Sequence, residues 1–152
     1  MSVKFEDNSI KVKAALNHAS IQWLYEASGE LEAQVKRNTR VDTGQTKGSW
    51  TYKVDEANGE AMVGSPQENA IWEEFGTGQY ALNGDGRRGG WYIPEEKLSV
   101  KAKSKMKKVI GKNGKVFYYT TGKKPTRALN KAFNSSKVKL KKLLEAMLKG
   151  MG

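Results

Sequence analysis

Cysteine is absent from this 152-residue chain, and histidine and proline occur only once and three times. Without thiols there are no disulfides, no thiolate zinc sites and no cysteine nucleophile, which suits a reducing compartment. The lone imidazole, His18, has no second histidine with which to hold a transition metal, and no G-x-S-x-G elbow accompanies it. His18 therefore reads as a structural residue. No apolar run approaches the roughly 20 residues of a membrane-spanning helix. The first residues, MSVKFEDNSIKVK, lack the apolar segment and small-residue cleavage site of a secretory signal, which predicts a protein that stays in the cytoplasm where it is made.

Nucleotide cradles are missing too. Neither VDTGQTKGSW (41–50) nor GTGQYALNGDGRRGG (76–90) ends in the G-K-[ST] that a phosphate loop requires, and Gly76-Thr77-Gly78 lacks the third glycine of a dinucleotide fingerprint. Asp42, Thr43, Gly44 and Gly48 are turn-forming types, so the first segment reads as a reversal from helix to strand. The acidic pairs Glu73-Glu74 and Glu95-Glu96 do not set two carboxyls across one bond, and both read as solvated charge. No catalytic residue, metal or cofactor is predicted.

What the chain does have is charge, unevenly placed. The formal net charge is +11, yet residues 1–76 hold 8 Lys and Arg against 12 Asp and Glu, whereas residues 77–152 hold 19 against 4. A chain so divided attracts nucleic acid or an acidic protein surface, or associates with its own copies, acidic side to basic side.

Length predicts one domain over 1–152, since domains cluster at roughly 100–150 residues. From a cap at Asn8 or Ser9, apolar residues Ile10, Ala14, Ile21, Leu24, Ala27, Leu31 and Val35 recur mostly at helical steps, which predicts a helix over about 9–37, or two helices broken at Ser28-Gly29. Trp50, Tyr52 and Val54 alternate with polar residues, Asn58-Gly59 marks a hairpin, and Ala61 and Val63 resume the alternation. AIWEEF (70–75) is a short helix or a strand. A glycine-rich loop follows, then a strand WYI stopped by Pro94. Flexible loops are expected at about 77–90 and 97–108, the second carrying Lys97, Lys101, Lys103, Lys105, Lys107 and Lys108 with little apolar content. A second hairpin centres on Lys112-Asn113-Gly114. Pro125 and Thr126 open a last helix, Thr126 as cap, with Leu129, Phe133, Leu140, Leu144, Met147 and Met151 on one stripe. The predicted class is α+β: a long N-terminal helix, a small antiparallel sheet of hairpins and a C-terminal amphipathic helix.

Basic residues beside aromatics, Arg87-Arg88 with Trp91-Tyr92 and the lysine run with Phe117, Tyr118 and Tyr119, fit non-specific nucleic-acid binding; the same aromatics also fit strands that bury one face. No nucleic-acid-binding motif of known signature is present.

The order of motifs carries a resemblance. R-V-D-T-G-x-x-x-G-S (40–49), I-W-E-E-F-G-T-G (71–78), G-x-G-R-x-G-G-W-Y (84–92), T-T-G-x-x-P (120–125) and A-L-x-x-A-F (128–133) are similar in sequence and spacing to the tailed-bacteriophage tail-component family, siphophage head-tail connector and tail-completion proteins. The resemblance implies a non-enzymatic virion protein that forms a homo-oligomeric ring, commonly a hexamer, in the neck or tail, after assembly in the host cytoplasm. Its partners would be connector, tail-terminator or tail-tube proteins and no membrane, with possible contact to packaged DNA; the alternative is a non-specific DNA-binding protein using its basic, aromatic-bearing C-terminal half. On the ring reading the subunit or partner interface comprises Trp72, Phe75, Gly76, Thr77, Gly78, Arg87, Arg88, Trp91 and Tyr92. The four aromatics serve either there or in the core, and Gly84, Gly86, Gly89 and Gly90 let the loop follow a neighbour. Lys101, Lys103, Lys105, Lys107 and Lys108 are the expected contacts to DNA or an acidic partner.

Overall fold

The computed structural model describes residues 9–41 and 44–150; Asn8, Asp42, Thr43 and Met151 lie outside them. Helix α1 runs unbroken over Ser9–Asn38, about 45 Å at 1.5 Å per residue. Ser28-Gly29 does not break it. Ser28 and Ala27 are both buried, and α1 packs along the C-terminal helix α5 (Ala128–Lys149), whose buried positions are mostly small and permit a close approach. The two helices are antiparallel: the indole Nε1 of Trp23 donates to the Leu140 carbonyl at 2.8 Å, and Asn38 Nδ2 donates to the Ala128 carbonyl at 3.2 Å.

The buried stripe of α5 follows its bulky residues only in part: Leu140 is buried and Leu129, Leu144 and Met147 are half-buried, but the deepest positions are mostly small. Ala128, Ala132, Ser136 and Leu140 face inward, whereas Phe133 is 53% exposed. Large residues at those positions would hold α5 away from α1, and the small ones let it lie flat. On α1 the stripe likewise thins toward the N-terminus, where Ile10 is 82% exposed.

Strands β1 (Thr51–Asp55) and β2 (Glu60–Gly64) form an antiparallel ribbon in register Thr51↔Gly64 to Asp55↔Glu60. Asn58 closes its turn, donating from its backbone and side-chain amides to the two Asp55 oxygens at 3.1 and 2.8 Å, and Gly59 takes φ 65°. The ribbon lies along α1, with the Tyr25 hydroxyl donating to Glu56 Oε1 at 2.8 Å. Before it, Gly44 (φ 82°) leads into a single helical turn, α2 (Gln45–Gly48), so the described part of the 41–50 segment reverses the chain as expected.

AIWEEF is helical, within α3 (Glu68–Phe75). Strands β3 (Trp91–Pro94), β4 (Lys107–Ile110) and β5 (Val116–Thr120) make a second antiparallel sheet ordered β3-β5-β4, with Gly114 (φ 76°) in the β4–β5 turn. Regular structure penetrates the lysine-rich 97–108 segment further than a solvated loop would. A Ser99-capped turn, α4 (Val100–Lys103), is followed by β4, whose Lys107 and Lys108 pair with Tyr119 and Tyr118. Long aliphatic stems let lysines serve on a strand while the charge stays in water. The main apolar cluster, Val35, Trp50, Ala70, Ala128 and Ala132 with Leu129 against it, draws on both ends of the chain.

Candidate functional site

Two charged constructions meet beside the end of α3. The first is a clasp made from the motifs I-W-E-E-F-G-T-G and T-T-G-x-x-P. Glu73 and Glu74, expected as solvated charge, are only 6% and 8% exposed. Glu74 faces the start of α5, where its Oε2 accepts from Leu129 N at 2.8 Å and its Oε1 from Asn130 N at 2.9 Å. A helix start presents unpaired N–H groups and positive dipole charge, so a carboxylate satisfies both needs at once. Thr126 is not the cap. The residue before α5 is Arg127, in the left-handed region at φ 55°, with no side-chain cap of its own. Thr126 instead donates its hydroxyl to Glu73 Oε2 at 2.7 Å, Lys123 Nζ pairs with Glu73 Oε1, and the Glu73 carbonyl accepts from the backbone of Thr126 at 2.7 Å.

Glycines lock the other side of the clasp. Thr77 N donates to the Lys123 carbonyl, Lys123 N returns a bond to Thr77 Oγ1 and Gln79 N donates to the Thr121 carbonyl, at 2.9, 2.9 and 3.1 Å. A side chain at Gly78 (φ 62°) would place its Cβ 2.3 Å from the Thr121 oxygen, and one at Gly122 (φ 126°) 2.1 Å from the Thr77 oxygen. Gly76 and Gly78, expected at a subunit contact, are thus buried within the chain's own packing. Gly86 and Gly90 are also packed closely, against the Gly78 carbonyl and the Tyr119 ring, whereas Gly84 and Gly89 have open space around them.

The second construction is an open cleft of about 1140 Å³ between Arg40-Val41, the start of α2, α3, β3 and α4. Arg40, Lys97, Lys101, Lys105 and Lys123 line it, with Trp72, Trp91, Ile93 and Met106 as its apolar walls. Glu73 is the one acidic residue among its described lining, and it is already engaged by Lys123 and Thr126. Lys101 Nζ donates to the Val41 carbonyl at 2.5 Å, tying α4 to the chain after α1.

The predicted site residues divide accordingly. Trp72, Phe75 and Tyr92 are substantially exposed and Trp91 is half-buried, which places three of the four aromatics outside the core. Arg87 stacks over the Trp91 ring at 5.9 Å, and Tyr92 packs against Tyr119 with ring centroids 5.3 Å apart; Arg88 is exposed. Of the lysines, Lys101 and Lys105 enter the cleft, while Lys103 reaches Glu95 at 3.5 Å and Lys107 and Lys108 lie on β4 outside it. Lys97 was read in the same lysine-rich segment but not among the expected contacts, and Arg40 and Lys123 were not grouped with it because they come from distant segments. His18 is exposed on α1. Among the described residues no group of His, Cys, Asp and Glu converges as a metal site, and no helix is long and apolar enough to cross a membrane.

A helix hairpin carrying two small antiparallel sheets and an open basic cleft defines an α+β scaffold whose distinctive surface is charged and aromatic. Residues 4–76, from α1 through α3, match the model of the family described as "Bacteriophage HK97-gp10, putative tail-component". The matched stretch is 73 of the 152 residues, and over it the chain is similar to that family. No curated protein and no solved structure shows a significant match to the chain.

Proposed function

We propose that this chain is a virion protein that joins head to tail or completes the tail of a bacteriophage, acting by assembly into a ring of about six copies and catalysing no reaction. The observation that carries the reading is the tail-component match over residues 4–76. Physical support comes from the surface. A cyclic ring joins two different patches of each subunit, and this chain is acidic in one half and basic in the other. Exposed Trp72, Phe75 and Tyr92 supply aromatic anchors of the kind that dominate interface energies. Its place would be the neck or upper tail of the virion, against connector, tail-terminator or tail-tube proteins, after assembly in the host cytoplasm.

Electron microscopy of particles with and without the gene tests this directly. Ring density at the neck or upper tail that disappears on deletion, with tails left unjoined or incomplete, is the expected result. Intact, complete particles lacking the protein would refute it, as would turnover of a small molecule by the purified chain.

The basic cleft between Trp72 and Trp91 supports a second reading, non-specific DNA binding. Here the isolated chain binds duplex at physiological salt, with log affinity falling by about 0.9 per decade of salt for each phosphate neutralised.

A further inference from the structure

Resting on the ring reading, we propose that the basic cleft of one copy receives the acidic tip of the β1–β2 hairpin of the next copy. Among the described residues the cleft holds no free carboxylate. Among the described residues no carboxylate pairs with Arg40, Lys97, Lys101 or Lys105, and Glu73 is occupied within the clasp. The tip has no cation paired with it among the described residues. Asp55, Glu56 and Glu60 bracket the turn DEANGE, all three are exposed, and none forms an ion pair among the described residues. The tip is also held in shape, since Asn58 braces Asp55 and Tyr25 braces Glu56, so little order is lost on docking.

Position makes the pairing intermolecular. The tip lies beside Tyr25, in the middle of α1, whereas Arg40 marks the cleft just beyond that helix's C-terminal end. The intervening helix spans about 20 Å at 1.5 Å per residue. A chain therefore cannot fill its own cleft with its own tip, and tip-into-cleft contact is head-to-tail, the kind that closes a ring when the rotation permits. The cleft, at about 1140 Å³, is somewhat larger than the roughly 300–1,000 Å³ of small-ligand sites, as a two-stranded turn needs. Its shape also favours a compact acidic knob over a nucleic-acid backbone. The cations gather in one hollow rather than along a track, because Lys103 is turned to Glu95 and Lys107 and Lys108 stay on β4.

The cysteine-free chain permits a direct test. Ala57→Cys at the tip and Ala102→Cys in the cleft lining are introduced in separate preparations, mixed under oxidising conditions, and scored for disulfide-linked dimer alone and with tail tubes. Tip-to-cleft dimers should exceed tip-to-tip and cleft-to-cleft dimers by about tenfold, and both substitutions in one chain should give a ladder. Glu56→Lys with Glu60→Lys, or Lys97→Glu with Lys105→Glu, should weaken association about 100-fold, with melting temperatures lowered by no more than loss of the one exposed Tyr25–Glu56 bond explains; mixing the two reversed preparations should restore association. Sedimentation and microscopy on the same samples separate the failures. Rings without enriched tip-to-cleft crosslinks, or rings indifferent to charge reversal, overturn this contact and leave the ring reading standing. No higher-order species under either condition overturns both. Duplex binding abolished by Lys97→Glu with Lys105→Glu, in a chain whose assembly ignores Glu56→Lys with Glu60→Lys, makes the cleft a DNA site and overturns the contact. Should a reversal variant fail to fold, the cysteine pair still decides.

Discussion

The clasp and the cleft share Glu73 and Lys123 at their boundary, yet they use charge in opposite ways. In the clasp, two carboxylates are buried and bonded to backbone amides, a hydroxyl and an ammonium. Around the cleft, Arg40, Lys97 and Lys105 are exposed and have no carboxylate partner among the described residues. Burying an ionised group without partners is prohibitive, so the clasp's charges are committed to folding. Solvated cations cost the fold little and stay available to a partner. The type of residue does not separate the two uses; the number of internal partners does.

Substitutions can break that contrast, beginning with the clasp. Gly78→Val introduces a Cβ at 2.3 Å from the Thr121 oxygen in a backbone at φ 62°, and should cost about 4 kcal/mol in denaturant unfolding. Gly84→Ala, at φ 71° but with nothing near it, should cost about 1 kcal/mol; equal losses at the two positions would mean that backbone conformation, not the interlock, decides. Glu74→Ala removes both acceptors from the start of α5 and should cost about 2 kcal/mol, with Glu74→Gln losing less because one acceptor oxygen remains. An unchanged melting temperature for Glu74→Ala would dismiss the clasp.

In the cleft the same kind of edit should leave the fold alone. Lys97→Ala or Lys105→Ala should change unfolding free energy by less than about 0.5 kcal/mol while weakening self-association in sedimentation runs. A large loss of stability would place these lysines with the clasp.

The smallest effect belongs to a charge of intermediate standing. Glu30 on α1 meets Lys139 of α5 at 3.2 Å, and the hydrogen bond from Lys139, with lesser help from Gln34 and Arg37, holds its carboxyl below the ordinary glutamate value against the opposing effect of burial. A lowered folded-state pKa stabilises the protein above the unfolded pKa, and the contribution disappears as pH falls through the folded value. Partly solvated, the pair should contribute about 0.5 kcal/mol. Lys139→Met should therefore narrow the stability difference between neutral and acidic pH by about that amount in urea titrations, and an unaltered difference would show the pair to be inert.

The helices and hairpins were legible in the chain because their signals are local. Apolar steps of three and four residues gave α1 to within a residue of its observed end, and Asn58-Gly59 and Asn113-Gly114 located both turns. Stripes were less legible. The eye follows bulky residues such as Phe133, but two helices in contact select Ala128, Ala132 and Ser136, and that preference depends on the partner. Thr126 looked like a cap by the local rule, yet the acceptors for α5 come from Glu74, whose bonding partners lie 55 and 56 positions further along. The lysine run pointed to a basic surface without saying which members converge, since Lys101 and Lys105 turn into the cleft while Lys103 finds Glu95.

Composition and periodicity by themselves determined the α+β class and the division of charge between the two halves, because each is a property of residues along the chain. Only the tertiary structure decided which charges became internal and which stayed free. Desolvation and hydrogen-bond partnership depend on what a distant segment brings alongside, and Glu73, Glu74, Arg40 and Lys97 each acquire their role from residues many positions away.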